Sequence, residues 1–497
     1  KKYPVLHDTL IRDHGVLSLL ELLESFQDIP SQQQLWYHCL SILNHVFESD
    51  LGTLENFCFL GGIPTVAHFR SATYEVQVRL QVAKFIGILN LSEKALSMFV
   101  SCGGLRLVSK FVEEDFDTTP TFPLIAIESI HNILAKDLSR SKSDLCRILS
   151  KHGVIFWLVV LLNRLVKYDQ KPLIKNVSKE QVEITIERII DIIKYFSQSE
   201  TKVRISIGSI DLFKLIFKLF DNLKLSHQLT LLKFVKSMSC ISEVLKNLYH
   251  AEILEFLVKL LKSYIPSKGN YKEIINVLAP ILYNSLALNH RRESEFVNLG
   301  GLPYLKTLSI INLPFRQFIL PIICEFVHCD ASVVNELKKN DIVKIYYNLL
   351  LDPYWQSNAL DSLHCWYKLE PSYIDLNSPM AVDCLVGGFL LPKVSNLEST
   401  LEIYFKLLTN NLPLTRDMLN MNVINSILIK LSLHDKKNPV IQLLYLKVLK
   451  CLINYLVDSK SSLPFAKPVV NTLQSLKLRQ SSLLIEEVTT ELLLVLK

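Results

Sequence analysis

The stretch Met98-Phe99-Val100-Ser101-Cys102-Gly103-Gly104-Leu105-Arg106-Leu107-Val108-Ser109-Lys110-Phe111-Val112 decides the fold. An apolar helical run meets Gly-Gly, and a second apolar run begins at once. Glycine accepts the left-handed backbone that closes a helix, and without a Cβ it lets the next helix cross sharply over the first. The junction recurs at Phe59-Leu60-Gly61-Gly62-Ile63-Pro64 and at Asn298-Leu299-Gly300-Gly301-Leu302-Pro303. There proline opens the new helix, giving up an N–H that has no helical partner anyway. Weaker copies centre on Gly15, Gly153 and Gly208, and polar substitutes stand at Ala251-Glu252, Asn340-Asp341 and Met421-Asn422. As far as Asp341 these turns fall about every 40 to 56 residues, close to the armadillo and HEAT periods. Runs such as Leu254, Phe256, Leu257, Leu260 and Leu261 follow them with helical spacing. The expected fold is all-α, an armadillo/HEAT-like superhelical repeat solenoid. Its expected parts are N-terminal armadillo repeats over 1–165, central repeats over 166–350 and divergent repeats over 351–497, in one continuous array.

An asparagine stands late in the third helix of several units: Asn44, Asn90, Asn132, Asn284 and Asn454. The segment from Gln77 to Ser92 looks most like an armadillo third helix. In importin-like families such an asparagine lines a concave groove and holds a peptide backbone, and a tryptophan stands four residues earlier. Here those positions carry Leu40, Ile86, Glu128, Pro280 and Lys450. An import receptor is disfavoured, and the plain expectation is that the asparagines bond neighbouring helices.

At 497 residues the chain is long for one core, but a solenoid is not limited by one, because each unit packs only on its neighbours. Hydrophobic residues make up 49% of the chain, yet the strongest apolar run, Val154 to Leu162, falls short of the roughly 20 residues of a membrane helix. No membrane span is expected. The net charge of +6 is modest and dispersed, and no basic stripe with interleaved aromatics points to nucleic acid. Ten cysteines lie mostly in apolar runs without paired spacing, which fits reduced thiols in the cytosol or nucleus, and a cytoplasmic protein is expected. The chain opens on Lys1-Lys2, and a longer parent protein is expected.

Catalytic signatures are missing from the sequence. Cys324, His328 and Cys329, and His364 with Cys365, lack a second Cys/His pair at zinc-site spacing. They read as core cysteines beside partly buried histidines, with no metal and no cofactor expected. Asn289-His290-Arg291-Arg292-Glu293 reads as a charged turn between helices. No kinase glycine loop, His-Arg-Asp or Asp-Phe-Gly is present. The acidic, proline-punctuated loop from Glu113 to Pro123 separates the second helix of its unit from the third. Lys167 to Glu183 reads as a polar surface insert, and Asn377-Ser378-Pro379 as a further turn.

Met98 through Phe116, Asp144 through Val154, and Asn56 through Pro64 resemble the armadillo region of one protein-kinase family. It comprises plant MAP kinase kinase kinase epsilon and the fungal septation-initiation and mitotic-exit network kinases. The resemblance is good over roughly residues 10 to 165 and thins to a repeat rhythm afterwards. It implies a Ser/Thr protein kinase as parent chain, with its catalytic domain before Lys1. It also implies that this region binds a GTP-loaded Ras-like small GTPase and recruits the kinase to the spindle pole body. Any nucleotide and magnesium then belong to the partner. Arg79, Lys84 and Arg106 are the basic residues expected to face the acidic switch regions of such a partner. Asn44, Asn90 and Asn132 would line a peptide groove for a spindle-pole scaffold protein in the alternative reading, and autoinhibition of the kinase is a third. The leucine-rich end from Leu483 onward suggests a homodimer.

Overall fold

The Gly-Gly turns need two glycines for two different reasons. In the computed structural model of the chain, Gly61, Gly103 and Gly300 have φ of 94°, 79° and 83°. That left-handed backbone is what closes the preceding helix. The second glycine makes room. A Cβ on Gly62, Gly104 or Gly301 would stand 2.1, 2.5 or 2.2 Å from the ring of Phe57, Phe99 or Phe296 respectively. The helices Glu93–Ser101 and Gly104–Val112 consequently meet at 91°. His14, beside Gly15, and Glu252 and Asp341, at two of the polar copies, adopt the same positive φ, where an L side chain costs roughly 1–2 kcal/mol. Gly208 is different: its φ is −73°, and its carbonyl accepts from Asn247 Nδ2 at 2.7 Å.

The structure describes residues 9–26, 29, 32–136, 142–168, 177–265, 271–311, 314–433, 438–458, 466–478 and 482–496. Among the described residues there are helices and no strand. The chain divides into two units, Lys1–Phe256 with Asn270–Ile281, and Leu257–Gly269 with Leu282–Lys497.

The repeat of the first unit is a short helix, a crossing second helix and a longer third. Glu93–Ser101, Gly104–Val112 and Thr121–Ala135 are one example. The third helices stack side by side in the order Gln33–Ser49, Val76–Leu89, Thr121–Ala135, Lys179–Ser197 and Leu225–Ser239. Their inward residues are buried, among them Phe47, Phe85, Ile127, Ile130 and Ile189. Phe47 packs on Phe57 at 4.8 Å and on Phe85 at 6.0 Å between ring centroids, fastening one repeat to the next. Burying such a side chain is worth about 1.5–3 kcal/mol, against about 1–2 kcal/mol of backbone entropy per residue. A single repeat is therefore not self-sufficient. The expected insert falls partly outside the described residues. Its edges are helical, with Ser178 and Gln181 forming a reciprocal cap for Lys179–Ser197.

In the second unit the stacked helices are Arg316–Glu325, Gln356–Leu369, Leu397–Asn410, Pro439–Asp458 and Leu483–Val495. The rhythm blurs after Leu351 because one repeat lacks its short first helix. A loop anchored by buried Ile374 and Leu376 takes its place. Pro379–Phe389 then begins at the expected turn, where the Ser378 hydroxyl accepts from the Ala381 amide. Pro439–Asp458 is long and apolar enough to cross a membrane, a feature the run-length reading passed over. Its apolar side lies against neighbouring helices, burying Leu444, Tyr445, Leu449, Leu452 and Ile453. The last helix leaves Leu483, Leu484 and Leu494 exposed.

Candidate interaction surface on the first unit

One acidic loop organises an indented surface of the first unit. Residues 113–120 leave the helix Gly104–Val112 and are closed by the Thr119 amide donating to the Asp115 carbonyl at 3.0 Å. Basic residues from the flanking repeats take up the loop's charge. The Arg79 guanidinium pairs with Glu114, donates through Nε to the Arg70 carbonyl at 3.1 Å and lies 5.0 Å over the Phe122 ring. Arg164 reaches in from the other side, 2.8 Å from Asp115 and 3.7 Å from Asp117. That hydrogen bond from Arg164 holds the Asp115 carboxyl below its ordinary value. Lys110 pairs with Glu113 at 2.8 Å.

Three clefts share this loop as a wall. The first, about 460 Å³, is rimmed by Arg70, Arg79, Arg106 and Lys110. The second, about 610 Å³, runs across three stacked helices, with Val76 and Leu80, then Leu124 and Ile125, then Ile184 along it. An ion pair of 2.9 Å between Arg188 and Glu128 crosses this groove. The third, about 110 Å³, holds Trp157 and Val160 beside Arg164. Val76, Trp157 and Ile184 are partly exposed there, and apolar side chains left on a stacked face are what a partner's surface can cover.

The residues singled out from sequence divide into four groups. Lys84 and Arg106 are exposed. Arg106 lines the first cleft, and Lys84 lies one turn beyond Leu80 on the same helix face. Arg79 lines that cleft too, but its guanidinium is committed inside the molecule. Asn44 and Asn90 are buried in the helix stack. Asn44 Nδ2 donates to the Gln81 carbonyl at 2.9 Å and to Gln81 Oε1 at 3.1 Å, and Asn90 Nδ2 donates to Ser129 Oγ at 3.0 Å. Asn132 is half-buried. The structure thus brings Arg79 and Arg106 together and points Asn44 and Asn90 at the next helix. Sequence reasoning missed Glu128, Arg188, Trp157 and Ile184. The one signal was an apolar residue standing off the buried stripe of its helix.

His290 and Glu293 do not form a linking turn. They open the helix His290–Asn298, and Glu293 is fully buried. Cys329 groups with these two and not with Cys324. Cys324 is buried, and its carbonyl accepts from Ser362 Oγ.

No family model matches the chain. Over 420 residues it is 30% identical to cytokinesis protein sepH of Emericella nidulans, covering 83% of this chain and 30% of that protein. It is 28% identical to cell division control protein 7 of Schizosaccharomyces pombe over 362 residues, 73% of this chain and 33% of that one. With MAP3K epsilon protein kinase 1 of Brassica napus it shares 24% identity over 243 residues, 48% of this chain and 18% of the relative. The chain is homologous to these fungal cytokinesis and cell-division proteins and to the plant kinases. It spans about three tenths of the length of the fungal relatives. Among solved structures, a computationally designed armadillo repeat protein for modular peptide recognition aligns with 52% of this chain and 99% of its own, at 17% identity and a TM-score of 0.37.

Proposed function

We propose that this chain is the non-catalytic armadillo-repeat region of a Ser/Thr protein kinase acting in septation and mitotic exit. In this reading it binds a GTP-loaded Ras-like small GTPase and thereby brings the kinase to the spindle pole body. The observation that carries the proposal is the set of clefts around residues 113–120. The loop's own carboxylates are neutralised by Arg79, Arg164 and Lys110. Arg106, Lys84 and the apolar groove of Val76, Leu80 and Ile184 remain turned outward. Exposed cations beside a partly apolar groove suit a partner whose contact surface is acidic at its edge and apolar at its centre. A stacked helical frame is already ordered, so docking costs little conformational entropy. Selection of the GTP form follows from contact with segments that the γ-phosphate orders.

The test is a pull-down with the GTPase loaded with GTP or GDP, beside localisation of the fluorescently tagged chain. The GTP form is retained and the chain concentrates at spindle poles. Lys84→Glu with Arg106→Glu removes both effects while leaving the helical content unchanged. Equal retention of the two nucleotide forms, or none of either, contradicts the proposal. Retention of a scaffold peptide in place of the GTPase would move the assignment to a peptide groove.

A further inference from the structure

The second unit contains a cluster that the interaction surface does not use. His290 and Glu293 stand one turn apart at the start of His290–Asn298, so their side chains share a face. Cys329 follows the tight turn Phe326–His328 in the next repeat. From there its Sγ approaches Glu293 Oε2 at 3.2 Å, and His290 Nδ1 lies 3.0 Å from the same oxygen. Cys329 Sγ and His290 Nδ1 are 3.9 Å apart. Ser294 Oγ donates to Asp330 Oδ2 at 3.3 Å, so a second bond fixes the same two segments against each other.

The chemistry of Glu293 is unusual for a structural residue. Its side chain is 0% exposed, and Oε1 is buried with no hydrogen-bond partner. A buried carboxyl normally has its oxygens satisfied, because leaving one bare costs about 1–3 kcal/mol. The thiol and the imidazole serve only Oε2.

We propose that His290, Glu293 and Cys329 form a binding site for a zinc-class divalent cation. Tetrahedral zinc with Zn–N and Zn–O near 2.0–2.2 Å and Zn–S near 2.3 Å places its ligand atoms roughly 3.3–3.6 Å apart. The observed separations of 3.0, 3.2 and 3.9 Å bracket that range without rearrangement of the backbone. An imidazole, a carboxylate and a thiolate together select zinc-class metals over calcium or magnesium, which take oxygen. On binding, the Cys329 sulfur gives its proton to solvent and bonds the metal, and Glu293 turns from acceptor to ligand. The fourth position goes to water at the exposed His290 edge. Held so, the cation pins the first helix of one repeat to the turn that begins the next. The partner-binding reading neither requires this site nor depends on it.

The experiment titrates cobalt(II) into the chelator-treated full chain, followed by absorption and then by displacement with zinc. One equivalent binds, with a thiolate-to-cobalt charge-transfer band and tetrahedral d–d bands, and zinc abolishes both. Cys329→Ser loses the charge-transfer band. His290→Ala and Glu293→Gln weaken binding by more than the roughly 10–100-fold that loss of an outer-shell partner costs. Zinc raises the thermal midpoint of the unaltered chain and not that of Cys329→Ser, whose circular dichroism shows the same helix content. A control, Cys365→Ser, keeps the full spectrum. No charge-transfer band in the unaltered chain overturns the proposal. So does a band that survives Cys329→Ser.

Discussion

Two places in this molecule tie successive repeats together through charged side chains, and they do it in opposite ways. Around residues 113–120 the carboxylates reach the surface and find cations, Arg79 and Arg164 from the flanking repeats and Lys110 from the helix the loop leaves. At His290, Glu293 and Cys329 the carboxyl is sealed from water and one oxygen lacks a partner. Exposed, satisfied charges stabilise little but leave the cleft walls fixed and open, which suits a surface meant to be covered. A buried, unfinished constellation suits something held inside. In the two readings proposed above, one repeat architecture would carry an outward binding face in its first unit and an inward ligand set in its second.

Breaking the frame common to both gives the largest effect. Phe99 fills the space that Gly104 leaves at its turn, so Phe99→Ala should lower stability by about 3–5 kcal/mol in denaturant unfolding. His290→Ala, measured in metal-free protein, removes a donor from the buried Glu293 and should cost about 1–3 kcal/mol. Arg79→Ala loses the Arg70 carbonyl bond and the Phe122 stacking as well as the Glu114 pair, and should cost about 1–2 kcal/mol. If Arg79→Ala cost more than His290→Ala, the contrast between the two clamps would fail.

The smallest effect separates the exposed clamp by pH. Arg164 depresses the Asp115 carboxyl below its ordinary value of 3.8. Its pairing therefore stabilises the fold above that value and is lost as the pH falls through the lower folded value. Asp115→Asn should make acid unfolding slightly less steep and leave the neutral midpoint nearly unchanged, since an exposed ion pair adds little. A large shift of the midpoint at neutral pH would show that the loop carries more of the fold than its exposure indicates.

The repeat was legible because a backbone requirement writes itself into residue type. Left-handed turns call for glycine, and the helices between them must be apolar on one side. Glu252 and Asp341 were legible as substitutes for the same reason. The short first helix missing before Pro379 was not, because Ile374 and Leu376 anchor a loop with the same residue types that anchor helices. Pro280 sits inside the continuous helix Tyr271–Leu286, with nothing in the sequence to show that the helix runs through it. Of the basic residues singled out from sequence, Arg106 and Lys84 are exposed, and Arg106 lines the first cleft. Arg79 is spent internally on partners 9 and 35 residues away. The His290 cluster was hidden by distance, since Cys329 lies 39 and 36 residues from its partners and no local spacing marks it.

The account rests most heavily on nucleotide-dependent docking at the clefts around residues 113–120. Isothermal calorimetry of the chain against a Ras-like GTPase in each nucleotide state tests this directly. The reading predicts saturable binding to the GTP form, at least roughly 10-fold weaker binding to the GDP form, a coupling of about 1.4 kcal/mol, and loss of binding with Lys84→Glu and Arg106→Glu. Identical affinities for the two forms, or binding untouched by the charge reversals, would contradict it.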